Sequence, residues 1–238
     1  RFSPFDTEFT GEMAFRRDDG PLIELHWQLT PAEWLRRLIA LDSGALWQDA
    51  QPLELDGVRA LQLSPPDTLL HLCLHLAAHC YVHPAGYQDI VRLLNHYQPF
   101  PWSTFVSRVT CFRLRAACYF ALEAAASVLG ASVPQEVLVA LRPPAWQRRL
   151  VRRIADPRRA LAGELPCRRP RSYLLHLSVA DRPADVVAVM LWLLFPGRHW
   201  LAERYRLQGR LRPWLACLWH PFVILWQGFL GLRELVRT

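Results

Sequence analysis

Residues 21–29, PLIELHWQL, constrain the fold of this chain more than any other segment. Ile23, Leu25 and Trp27 alternate with Glu24, His26 and Gln28, and a period of two belongs to a strand with one apolar and one polar face. A carboxylate, an imidazole and an amide therefore share the open side of one strand. The preceding FTGEMAF alternates as well, and Asp18-Asp19-Gly20 supplies a turn, so residues 9–29 are predicted to form a β-hairpin.

Further along, the pattern changes. PLELDGVRALQL (52–63) reads as a second short strand pair turning at Asp56-Gly57. Between the pairs, Thr30-Pro31-Ala32-Glu33 is a capping box that opens a helix running to about Leu41. From Ser64 onward the periodicity is helical. Helices are expected over 67–80, 87–97, Trp102–Leu129 (stopped by Gly130), 134–141 and 145–161. Residues 162–183 are rich in Arg and Pro and read as an irregular connector, and 184–238 as an apolar helical tail. The fold class is α+β, divided into 1–63, 64–161, 162–183 and 184–238.

The formal charge is +7, and every basic side chain is Arg rather than Lys. A GC-rich genome would produce that bias, and so would selection for forked donors that grip phosphates. Six Cys show no CxxC spacing; Cys73 and Cys80 lie a heptad apart, as do Cys111 and Cys118. That spacing suits buried, reduced thiols on helix faces and a cytoplasmic protein. Pro213–Leu232 is free of Asp, Glu and Arg and long enough to span a bilayer. Pro221 beside His220, with Gln227 and two Gly, argues against a span and for a buried or interfacial hairpin.

DTLLHLCLHLAAH (67–79) places His71, His75 and His79 at four-residue intervals after Asp67, on one drifting helical stripe. Three readings stay open: polar packing between helices, substrate binding or catalysis, and a zinc site using two of the histidines. One helix cannot surround a tetrahedral ion, and no Cys pair or HExxH accompanies the stripe. Ten Arg between Arg142 and Arg171 form a solvated basic face or a contact for RNA.

Two of these segments carry a family resemblance. A strand ending in Leu-His-Trp and a helix similar to DTLLHLCLHLAAH resemble an uncharacterised bacterial nucleotidyltransferase family of the polymerase-β-like superfamily. The resemblance is strongest over 21–129 and implies Mg²⁺-dependent transfer of a nucleoside monophosphate from an NTP to an acceptor hydroxyl. It makes Glu24 the third metal or base carboxylate, with His26 on the same face. His71, His75, His79 and Asp89 (in GYQDIVRLL) become substrate-side residues, although the basic residues that usually precede that Asp are missing apart from His83. The Gly-Ser and Asp-x-Asp motifs of such enzymes are missing too. The resemblance thus implies a C-terminal portion, with residues 1–63 the remnant of a small mixed sheet, inactive alone. The acceptor is open among a protein, a tRNA and a small molecule. Two other classes compete: a non-catalytic basic module that binds RNA or a partner, and a membrane-surface protein held by its tail.

Overall fold

The computed structural model describes residues 11–16, 19–29, 33–162, 164, 169–207 and 211–236. The chain is α+β: two separate antiparallel strand pairs, then helices. Strands β1 (Glu12–Arg16) and β2 (Leu22–His26) pair in the register Glu12↔His26 to Arg16↔Leu22, as the alternation requires. Gly11, at φ +74°, closes the open end, its carbonyl accepting from the amides of Trp27 and Gln28. A Cβ on Gly11 would meet the Gln28 side chain at 2.8 Å. The second pair, β3 (Gln51–Leu55) and β4 (Val58–Gln62), turns at Asp56 and Gly57, both at positive φ. Between the pairs lie α1 (Glu33–Leu38) and a short α2 (Ser43–Gln48), the latter capped by the Asp42 carboxylate. The capping box expected at Thr30–Glu33 lies, except for Glu33, outside the described residues.

The core is built by α3 (Pro65–Ala78), α4 (Pro84–His96), α5 (Trp102–Cys111) and α6 (Arg115–Leu129). Leu69, Leu70, Leu74 and Leu76 of α3 are fully buried, as are Tyr87 and Ile90 of α4. Each such side chain contributes about 1.5–3 kcal/mol. Ala117, Ala121 and Ala124 give α6 a shallow face on which α3 and α4 sit close. The remaining helices are α7 (Gln135–Leu141), α8 (Ala145–Ile154), α9 (Pro157–Leu161), α10 (Arg169–Ser178), α11 (Pro183–Leu194), α12 (Arg198–Arg204) and α13 (Arg212–Val236).

Four expectations are corrected. The helix expected over Trp102–Leu129 breaks at Phe112–Leu114, where Arg113 has φ +58°. The cause is distant in sequence: Asp181 accepts from the amides of Arg115 and Ala116 at 2.9 Å each and caps α6. The helix expected over 145–161 divides at Asp156, whose carboxylate caps α9 just before Pro157. The connector contains α10. The apolar tail is one continuous helix through Pro221 rather than a hairpin, and no described helix is long and apolar enough to cross a membrane.

The thiols divide. Cys73 and Cys118 are buried neighbours in the core, and burial pushes the Cys118 thiol well up. Cys80 departs from the expectation of reduced thiols: it is disulfide-bonded.

Candidate active site

The polar face of the hairpin carries Glu12, Glu24 and His26. Cross-strand partners share a face, so Glu12 opposite His26 lands beside it. The imidazole stands between two carboxylates, Nδ1 at 3.4 Å from Glu12 and Nε2 at 3.8 Å from Glu24. All three are partly open to solvent.

Opposite them runs the histidine stripe of α3. His26 lies within electrostatic reach of His71 and His75, and Glu12 and Glu24 within reach of His79. The structure therefore brings Glu24 and His26 within electrostatic reach of the stripe, from segments about fifty residues apart in sequence. The stripe is graded by depth. His71 is the most enclosed, and its Nδ1 is buried without a hydrogen-bond partner. His75 is intermediate, and His79 is exposed.

A fourth imidazole joins them. His83 sits at the N-cap of α4, its ring centroid 6.0 Å from His75 and 5.8 Å from His79, while His75 and His79 are 4.5 Å apart. Three local devices place it there. Cys80 and Tyr81 both turn the chain at φ +57°. The Tyr87 hydroxyl donates to the Tyr81 carbonyl, and the Tyr81 hydroxyl to that of Ala117, at 3.0 Å each. Gly86 lets α4 approach α3 so closely that a Cβ there would meet Leu76 Cδ2 at 2.9 Å.

This crowding keeps the His71, His75 and His79 rings neutral at pH 7. Burial, reinforced by the neighbouring imidazoles, lowers His75 to about 4. Burial lowers His71 as well. His79 is lowered by burial and His83, with Glu12 and Glu24 opposing. A neutral imidazole that is partly open can accept a proton or a hydrogen bond, which is the state a general base needs.

Asp89, half-exposed on α4, pairs with Arg92 at 3.1 Å. Asp67, read as the head of the stripe, is fully buried on another side of α3. It accepts from the Ser64 hydroxyl at 2.7 Å and pairs with Arg108 at 3.3 Å, while Arg108 also binds Asp49. It is part of the scaffold. His176 of α10 also escaped the sequence reading: its Nε2 lies 2.8 Å from the Ala77 carbonyl at the end of α3. Glu12 was recoverable by counting across the hairpin from His26; His83 and His176 carried no comparable signal.

Glu12 and Glu24 offer the hard oxygen donors that Mg²⁺ takes. They do not complete a site: among the described residues, no three His, Cys, Asp or Glu side chains converge to hold a metal ion.

Residues 6–130 match the sequence model of a family described as an uncharacterised nucleotidyltransferase. The match ends at Gly130, where a left-handed cap closes α6, and so contains the hairpin, the stripe and His83. No curated protein and no solved structure matches the chain. With more than half of its 238 residues matched, the chain belongs to this family of uncharacterised nucleotidyltransferases.

Proposed function

We propose that the chain supplies the third carboxylate and the helical wall of a polymerase-β-like nucleotidyltransferase site. In the reaction an acceptor oxygen bonds to the α-phosphorus of an NTP, the bond from that phosphorus to pyrophosphate breaks, and the hydroxyl proton passes to a base. The observation that carries this reading is the meeting of Glu24 and His26 with His71, His75 and His79.

We assign Glu24 the role of third carboxylate and His26 that of its neighbour on the reacting face. His79, neutral, exposed and within electrostatic reach of Glu24, is the candidate base for the acceptor proton. His75 and His71 hold the substrate side, and Asp89 is assigned to its outer end. Mg²⁺ would neutralise the triphosphate in such a site, and the acids missing here would come from sequence outside this chain. Two features support that split. The reverse face of the hairpin leaves Ile23 62% and Leu25 57% exposed, and no described strand extends the pair beyond two. Isolated two-stranded pairs with bare apolar faces are marginal, and a larger sheet would cover them. On this reading the chain alone is inactive.

The acceptor is proposed to carry phosphates, RNA foremost. Arg142 and Arg149 are exposed near and on α8, while Arg152 is tied to Glu123. The side chains of Arg168, Arg169 and Arg171 lie outside the described residues.

The test uses the full product of the gene with α-labelled NTPs. Glu24→Gln should abolish label transfer and leave the melting temperature unchanged, because Glu24 is half-exposed and its pairing with His26 is long. Transfer that survives this substitution refutes the assignment.

A further inference from the structure

Helix α13 presents an apolar face that the other described residues leave exposed. Leu215, Leu218, Phe222, Leu225, Phe229 and Leu232 recur at alternating intervals of three and four residues. Each is between 53% and 72% exposed. Trp214, Trp219 and Trp226 flank the row and are exposed as well. Together they form roughly 1,000 Å² of apolar surface, beyond the few hundred usual on a soluble monomer. The orientation is fixed from the other side. Ala216 and His220 are buried, with His220 held by the Leu193 carbonyl at 2.9 Å and the Tyr205 hydroxyl at 2.7 Å. The apolar face therefore points outward because the opposite face is locked.

Charge and shape select the occupant. From Arg204 to Arg233 the sequence contains no Asp or Glu, while Arg206, Arg212 and Arg233 are exposed and Arg198 lies over the Trp214 ring. A broad apolar strip with tryptophans along it and arginines at its ends matches the boundary between acyl chains and anionic headgroups. The helix is about 37 Å long at 1.5 Å per residue, and its locked inner face requires it to lie in the plane of that boundary. A partner helix would use the same interval of three and four residues. It would need only a narrow seam bordered by charges, whereas here the borders are Trp214, Trp219, Pro221, Trp226 and Gly228. We infer that α13 seats the protein on an anionic lipid surface, its Leu/Phe row in the acyl boundary and its arginines against the headgroups.

The full chain is mixed with phosphatidylcholine vesicles, with and without phosphatidylglycerol, and followed by co-sedimentation and tryptophan emission. Binding should require the anionic lipid, shift emission to the blue, and weaken with salt. Phe222→Asp with Phe229→Asp should lower partitioning at least about tenfold. Arg212→Glu with Arg233→Glu should lower it by about fivefold or more per arginine. Circular dichroism should show both variants folded, since every altered side chain is exposed. Partitioning that is absent, equal on both lipids, or unchanged in the folded variants overturns the proposal. So does a concentration-dependent dimer that Phe222→Asp dissolves, which would make a second copy the occupant.

Discussion

His176 should make the stability of this protein depend on pH between 4 and 6.5, and His176→Gln should remove that dependence. The ring is 3% exposed, wedged between α10 and the C-terminal turn of α3. Nε2–H donates to the Ala77 carbonyl at 2.8 Å, which also accepts from the Cys80 amide, and reaches that of Ala78 at 3.2 Å. Burial lowers its pKa from 6.5 to about 4, with the two carbonyls opposing the fall. The folded value lies below the unfolded one, so the unfolded chain binds the proton first. The neutral ring's contribution is complete above pH 6.5 and is lost as pH falls towards 4. At 1.36 kcal/mol per pH unit the full loss is about 3 kcal/mol, a large share of a typical domain's stability. Urea unfolding at a series of pH values between 7.5 and 4.5, followed by far-ultraviolet circular dichroism, measures it. Other groups also titrate in this range, so the quantity to read is the difference between wild type and His176→Gln. That difference should shrink steadily on acidification. Parallel pH profiles would show that the ring is not held neutral between these helices.

Three further outcomes follow from the geometry. Gly86→Val should destabilise by about 1–3 kcal/mol, because its side chain collides with Leu76 where α3 and α4 are closest, and thermal melting will register it. Asp67→Asn should cost about 3 kcal/mol by breaking a buried ion pair with Arg108. It should leave the Km for NTP unchanged, since this carboxylate faces away from the stripe. His71→Leu should raise stability by up to about 1–3 kcal/mol, because it removes a buried Nδ1 that has no partner. A fall in stability would show that the ring is held by contacts a leucine cannot replace.

What was legible in the sequence is what depends on neighbours along the chain. The alternation in PLIELHWQL fixed the hairpin and its polar face, and Asp56-Gly57 fixed a turn whose positive φ values those residues tolerate. The four-residue spacing of His71, His75 and His79 was visible for the same reason. What was hidden depends on partners far away. Nothing near Phe112 announces a helix break, because the cap arrives from Asp181, more than sixty residues later. Asp67 looked like one more member of the stripe until Arg108, on the next helix but one, drew it to the other side. His83 reaches the cluster only through the sharp turn at Cys80 and Tyr81 and the close approach at Gly86.

The same contrast bears on what the stripe is for. A row of histidines kept only for packing would be a poor choice in this setting. His71 buries a polar nitrogen without a partner, and His75 is held so far below its ordinary pKa that protonation would oppose the packed state. Leucine would fill either position at lower cost, as Leu69, Leu70, Leu74 and Leu76 do elsewhere on α3. The expense falls on the side of the helix within electrostatic reach of Glu12, Glu24 and His26. Crowded, neutral imidazoles set against carboxylates cost stability, and that cost serves proton transfer only where a substrate can reach them. His79 of the stripe and the neighbouring His83 are exposed, which agrees with the proposed base at His79 and substrate support deeper in.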